Sequence, residues 1–120
     1  MRTRMLPKHR TVQHHLATKS LTAEQFEGFH TNYGAEAAVT LTLPKARDTR
    51  GMRAEFMRSN ASYALILNPR DDEQIIDDDG TALTAGFYES LAADGSSCVL
   101  WSDGTRYFLS QSRGTVTAET

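Results

Sequence analysis

The sequence has few of the features from which function is usually inferred. Its 120 residues include one cysteine, Cys98, so no disulfide can form within the chain, which suits a reducing compartment. No apolar run approaches the roughly 20 residues that span a bilayer. The basic N-terminus also lacks the apolar segment of a secretory signal. These absences predict a cytoplasmic protein that does not associate with membranes.

Motifs for catalysis and cofactor binding are missing as well. The sequence contains no Gly-x-Ser-x-Gly elbow, phosphate-binding loop or Rossmann glycine pattern. A nucleophilic Cys98 would need an accessible, electropositive setting, but its neighbours in Val99-Leu100-Trp101 predict burial. Nothing in the sequence brings Cys98 to His30, the one histidine outside the N-terminal segment. We expect no enzymatic activity and no cofactor, with an unrecognised small enzyme as the third hypothesis.

Two groups of potential metal ligands lack the required spacing. An EF-hand loop with Gly80 at its sixth position would place Asp77 and Asp79 correctly. It would also place Ile75 first and Gly86 last, where carboxylates are required. The histidines of the N-terminal segment do not complete a closed four-ligand set: His9, His14 and His15. The sequence therefore predicts a solvated acidic loop and no metal site.

The charges that are present are strongly segregated. No acidic residue precedes Glu24, whereas the preceding segment carries five cations: Arg2, Arg4, Lys8, Arg10 and Lys19. A later block of nine residues carries six acids: Asp71, Asp72, Glu73, Asp77, Asp78 and Asp79. From residue 20 onward, eight Lys and Arg against fifteen Asp and Glu give a net charge of −7. We call the first set the basic arm and the second the acidic loop, and we predict that each binds a partner.

A helix is predicted over residues 23–33. Thr22 and Gln25 have the spacing of a capping box, in which each side chain bonds the other's backbone. Gly34 supplies a left-handed stop. Aromatic residues between these signals recur at helical spacing: Phe26, Phe29 and Tyr33.

Strands are predicted where apolar residues alternate with polar ones: residues 37–43, 52–56 and 62–67. The third is apolar on both faces, which indicates a central place in its sheet. Asp103-Gly104 predicts a C-terminal hairpin, because Asp-Gly suits a two-residue turn whose central positions both have positive φ. Residues 81–91 fit a strand or a helix, and their alanines slightly favour a helix. Val116 is a candidate for an edge pairing.

These elements predict an α+β fold in which one N-terminal helix packs on a small antiparallel β-sheet of four to five strands. The predicted organisation is a basic N-terminal arm over residues 1–19, a single α+β domain over residues 20–112 and a polar C-terminal tail over residues 113–120.

The leading functional hypothesis is a non-enzymatic interaction protein. A small accessory or inhibitor domain, of the kind found in phages and mobile elements, would dock on a larger protein or nucleoprotein through its charged surfaces. The alternative is a nucleic-acid-binding protein that uses the basic arm, to which Arg47, Arg50, Arg53 and Arg58 would add a basic face.

Overall fold

The computed structural model describes residues 11–120, whose regular secondary structure is almost all β-strand. In chain order the strands are β1 (Val12–His14), β2 (Lys19–Ser20), β3 (Gly28–Thr31), β4 (Val39–Thr42), β5 (Arg53–Met57), β6 (Leu65–Asn68), β7 (Ile75–Ile76), β8 (Glu89–Leu91), β9 (Ser97–Ser102), β10 (Tyr107–Arg113) and β11 (Val116–Ala118). One short helix, α1 (Ala23–Phe26), and a 3-10 turn (Ala46–Asp48) complete the described part.

The strands form two mixed sheets. The six-stranded sheet has the order β1-β3-β5-β9-β10-β7, and the five-stranded sheet has the order β11-β8-β6-β4-β2. The predicted α+β class with one small antiparallel sheet is therefore wrong. The first six strands alternate between the two sheets, so neighbours in a sheet are joined by a pass through the other one. Such a pass returns the chain in the same direction, and β1, β3 and β5 consequently pair in parallel, as do β2, β4 and β6.

The predicted helix over residues 23–33 is also wrong beyond its first turn. The capping box is present, with Thr22 accepting from the Gln25 amide and Gln25 accepting from the Thr22 amide. The helix then ends at Phe26, because Gly28 adopts a φ of 131°, which is incompatible with a helix. Gly28 opens β3, which contains Phe29, whereas Phe26 precedes this strand and Tyr33 follows it.

The predicted strands are present, and the predicted helix over residues 81–91 is absent. The strand predictions correspond to β4, β5 and β6, and β6 does lie at the centre of its sheet. Residues 81–91 instead provide a bridge from Ala82 to Ile76 and the strand β8. The hairpin between β9 and β10 and the edge strand β11 at Val116 are confirmed.

The Asp-Gly turns differ from the predicted geometry. Each of the three glycines has a positive φ, between 83° and 93°, but among residues 11–120 the only non-glycine residue with a positive φ is Gln111. The aspartates therefore do not take the first left-handed position of the predicted two-residue turn.

The core lies between the two sheets. Phe26 packs with its ring centroid 6.4 Å from that of Phe56 and 5.4 Å from that of Tyr107. The Tyr107 hydroxyl donates to the Pro44 carbonyl at 2.7 Å and contacts the Thr49 hydroxyl at 2.9 Å. This buried polar end is satisfied, so the tyrosine can fill the core without an unpaired oxygen.

Candidate functional site

The acidic loop is divided by the fold into three parts with different environments. Asp71 and Asp72 lie in an exposed turn. Glu73 faces the protein, where both of its carboxylate oxygens accept from the Ala46 amide at 3.1 and 3.2 Å. The remaining three aspartates occupy a separate tight turn after β7, which we call the acidic turn: Asp77, Asp78 and Asp79.

Local hydrogen bonds explain why the acidic turn forms. The Asp77 amide donates to the Thr81 carbonyl, and the Gly80 amide donates to the Asp77 carbonyl. Asp79 accepts from the Thr81 amide at 2.9 Å, and this bond holds the pKa of its carboxyl below the usual range. Gly80, with a φ of 88°, closes the turn in a conformation that favours glycine.

The three carboxylates of the acidic turn converge. One oxygen from each of Asp77, Asp78 and Asp79 lies within 4.8 Å of the other two. Asp78 also accepts a hydrogen bond from the Ser112 hydroxyl, which connects the turn to β10. Within residues 11–120 this is the only group of three histidine, cysteine or acidic side chains placed to share a metal ion.

A fourth carboxylate, that of Glu89, approaches the turn from inside the molecule. Glu89 is fully buried on β8, and neither of its carboxylate oxygens has a hydrogen-bond partner. Burial, together with the neighbouring carboxylate of Asp77, with which it can share a proton, raises its pKa to about 8. Asp78 and Asp79 contribute in the same direction. Glu89 was not among the sequence-predicted site residues.

An exposed aromatic pair lies beside the acidic turn on the outer face of the six-stranded sheet. Trp101 on β9 is directly opposite Phe108 on β10, and Phe108 is opposite Ile76 on β7. The exposed fraction is 43% for Trp101 and 37% for Phe108, which is high for side chains of this size. The guanidinium of Arg53 lies 5.5 Å from the Trp101 ring centroid, within the range of a cation–π contact.

Of the basic arm, only Lys19 lies within the described residues, exposed in β2. Arg2, Arg4, Lys8 and Arg10 lie outside them. The additional basic face is incomplete, because Arg58 is buried and donates to the carbonyls of Asn60 and Ala61. Arg47, Arg50 and Arg53 are exposed.

Cys98 and His30 are not brought together. Both lie opposite Phe56, from β9 and β3 respectively, so the intervening strand β5 separates them. Burial, with the nearby Glu89 charge, raises the pKa of the Cys98 thiol, which therefore remains protonated. This is the environment of an inert core cysteine.

His30 belongs instead to a buried stack of rings. Its ring lies 4.8 Å from that of Phe56 and 5.1 Å from that of His15, nearly parallel to both. His30 Nε2 is 2.7 Å from the Phe26 carbonyl, which can only accept, so this nitrogen carries the hydrogen. His30 Nδ1 then accepts from His15 Nε2 at 2.9 Å. Burial lowers the pKa of His30 to about 4 and also lowers that of His15.

The N-terminal histidines make separate contacts. His14 Nδ1 lies 2.7 Å from the Thr31 hydroxyl, whereas His15 stacks on His30. His9 lies outside the described residues. The histidines within the described part therefore support the packing of β1 against β3.

The hairpin signal in the sequence could have indicated the aromatic pair, but no signal indicated Glu89. Trp101 and Phe108 flank the Asp103-Gly104 turn at positions that oppose each other in a hairpin, which makes a cross-strand pair predictable. The segment that carries Glu89 fitted either a helix or a strand in the sequence. The inward orientation of the Glu89 side chain depends on the pairing of β8 with β6 and β11.

Comparison with protein-family models, curated proteins and solved structures found no match to this chain. Within residues 11–120, no helix is long and apolar enough to cross a membrane.

Proposed function

We propose that this chain is a non-enzymatic interaction module of the cytoplasm that docks on a basic surface of a larger protein or nucleoprotein. Its docking surface consists of the exposed aromatic pair and the adjacent acidic turn. The observation that carries the proposal is this adjacency, in which Trp101 and Phe108 lie in one cross-strand row with Ile76 and the acidic turn follows directly in the chain.

The aromatic pair has the properties of an interface centre. Tryptophan and arginine are enriched among the residues that dominate binding energy, and such residues lie centrally with a polar rim around them. Arg53 lies over the Trp101 ring and helps to hold it outward as a flat surface. A pair held by two neighbouring strands loses little conformational freedom on binding.

The charge around the pair selects the partner. Asp78 and Asp79 are exposed at the edge of the same sheet, and Asp78 is bonded to Ser112 on the strand that carries Phe108. The chain from residue 20 onward carries a net charge of −7. An anionic surface of this kind accelerates encounter with a basic partner and disfavours association with bare phosphate.

The chemistry of the core favours binding over catalysis. The thiol of Cys98 is buried and protonated, and His30 bonds a backbone carbonyl and another histidine. Neither group is both exposed and activated, as a nucleophile or a general base requires.

The test compares the chain with matched variants in a pull-down from lysate of the source organism. Trp101→Ala and the double variant Asp78→Asn with Asp79→Asn remove the two parts of the surface. Tyr63→Ala and Asp94→Asn are the controls, because Tyr63 is an exposed aromatic outside the surface and Asp94 occupies another Asp-Gly turn.

We expect one basic protein to be retained by the unaltered chain and by both controls. The amount retained should be at least tenfold lower with both surface variants. Retention that is equal in all five proteins would refute the proposed surface. Retention of nucleic acid alone, abolished by nuclease or by deletion of residues 1–19, would refute the protein partner and support the nucleic-acid alternative.

A further inference from the structure

We infer that the part of the partner that occupies the docking surface is an amphipathic α-helix, which lies across the strands of the six-stranded sheet. The apolar stripe of this helix covers Trp101 and Phe108. Its basic end meets the acidic turn, and its acidic end meets Arg53. The inference rests on the proposed docking function and specifies the chemistry of the partner.

The outward-facing side chains form a row that crosses four strands. The register places Arg53 on β5 beside Trp101 on β9. It then places Trp101 beside Phe108 on β10, and Phe108 beside Ile76 on β7. Neighbouring strands lie about 4.8 Å apart, so the three intervals of this row span about 14 Å.

The accessible apolar surface extends across the strands and not along them. Val99 precedes Trp101 by two residues and shares its face of the sheet, but it is only 3% exposed. In the other direction β9 ends at Ser102, where the hairpin turn begins. Trp101 and Phe108, which lie side by side on neighbouring strands, are 43% and 37% exposed. A partner that covers both rings therefore follows the row.

A helix has the spacing that this row requires. One helical turn rises 5.4 Å, which is close to the distance between strands, so apolar residues on successive turns lie near successive strands. At 1.5 Å per residue, about nine residues of helix cover the row. A partner strand would gain no backbone hydrogen bonds here, because β5, β9 and β10 are each paired on both sides.

The two ends of the row carry opposite charges. At one end the Arg53 guanidinium lies over the Trp101 ring, and Arg50 packs against the adjoining hairpin turn. At the other end Asp78 and Asp79 are exposed, and the hydroxyl and amide groups that donate to them are uncharged. Charge complementarity therefore favours a helix with acids at one end and bases at the other.

The experiment titrates the purified full chain with two synthetic peptides of identical composition that contain no tryptophan. Each has about 15 residues of alanine, leucine, glutamate and lysine, with glutamates in the first turn and lysines in the last, which favours helix formation. The helical peptide carries leucines at i, i+3, i+4 and i+7, whereas in the control peptide leucines alternate as in a strand. Trp101 is the single tryptophan of the chain, so its fluorescence reports binding.

We expect the helical peptide to shift the Trp101 emission to shorter wavelength, because the ring leaves water when it is covered. The affinity for this peptide should be at least tenfold higher than for the control peptide. Circular dichroism should show that the helical peptide gains helix on binding. Equal affinity for the two peptides, tighter binding of the control peptide, or no binding of either would overturn the inference.

Matched variants locate the binding on the row. Phe108→Ala should weaken the affinity for the helical peptide at least tenfold, and the double variant Asp78→Asn with Asp79→Asn at least fivefold. Tyr63→Ala and Asp94→Asn should leave it unchanged, since both residues lie outside the docking surface. Circular dichroism checks that each variant is folded. Unchanged affinity in Phe108→Ala, or an equal loss in the two controls, would contradict the proposed position of the helix.

The outcome is distinguishable from that of the pull-down. If a partner from lysate is retained and then lost in Trp101→Ala, while the two peptides bind equally, the docking function stands and only the helical partner is refuted. If no partner is retained from lysate, the docking function fails whatever the peptides show.

Discussion

The buried histidine stack makes a quantitative prediction about acid stability. His30 is neutral in the folded protein, because burial lowers its pKa from 6.5 to about 4. The unfolded chain takes up a proton as the pH falls below about 6.5, whereas the folded protein does not until about pH 4. His30 therefore contributes stability that is present above pH 6.5 and is lost as the pH falls towards 4.

The magnitude follows from that interval. At about 1.36 kcal/mol per pH unit, the range from 6.5 to about 4 corresponds to a loss of about 3 kcal/mol. The groups that face His30 do not offset this loss. The positive charge of Lys19 and a protonated His15 disfavour a proton on His30, and the Phe26 carbonyl bond only partly favours it.

The perturbation is His30→Gln, because a glutamine amide can donate to the Phe26 carbonyl and accept from His15 without titrating. Urea unfolding of both proteins at pH 7.5, 6.5, 5.5 and 4.5 gives their free energies of unfolding. We expect the variant to be less stable at pH 7.5, since it loses the ring contact with Phe56. The difference should then shrink by about 1.4 kcal/mol for each pH unit below 6.5.

The comparison of the two proteins separates the effect of His30 on stability from that of Glu89, the other buried group that titrates. Glu89, with a pKa of about 8, contributes stability that is lost as the pH rises from about 4.5 to 8, opposite in sign to His30. It is present in both proteins, so its effect cancels in the difference. A constant difference between the two proteins across this range would refute the reasoning. So would a His30 ring titration by NMR with a midpoint near 6.5 in the unaltered chain.

Two further predictions concern packing. Tyr107→Phe leaves the buried Pro44 carbonyl without its donor, and we expect urea unfolding to show a loss of about 1–3 kcal/mol; an unchanged midpoint would contradict the role given to that hydroxyl. Gly114→Ala and Gly95→Ala both place a side chain at positive φ, but only at Gly114 does the added carbon meet an atom, the Ser96 hydroxyl at 2.7 Å. We expect about 1 kcal/mol of destabilisation for Gly95→Ala and more for Gly114→Ala by thermal unfolding, and equal losses would show that the contact is relieved without cost.

The strands were predictable where local pattern and tertiary environment agree. Residues 37–43 alternate strictly, and β4 buries Val39 and Leu41 while Thr40 and Thr42 are only partly covered. The C-terminal hairpin was predictable because both of its strands and its turn are adjacent in sequence. Such local signals need no information about distant partners.

The helix prediction failed because a local pattern can satisfy two periods. Phe26, Phe29 and Tyr33 suit a helix, but residues 28–31 also suit a strand, in which His30 is buried and Phe29 only partly covered. The parallel partners β1 and β5 on either side of β3 decided between them. Gly28, the weakest residue of the predicted helix, marks the point where the strand begins.

The acidic loop was predictable as a charged segment but not as a site. The sequence placed its six acids in one block, whereas the fold gives Glu73 to the Ala46 amide and groups the last three around a separate turn. Glu89 reaches that turn from ten residues further along the chain. No spacing rule connects them, since the contact arises from two sheets packed face to face.

The sequence by itself determined the local elements: the capping box at Thr22, the alternating strands, the glycines of the turns and the separation of charge along the chain. Each depends on residues within a few positions of one another. The tertiary structure alone decided that the strands pair in parallel across two sheets, that His30 stacks between His15 and Phe56, and that Glu89 faces the acidic turn. These arrangements depend on which distant strands become neighbours, and that choice is made by the free energy of the whole packed core.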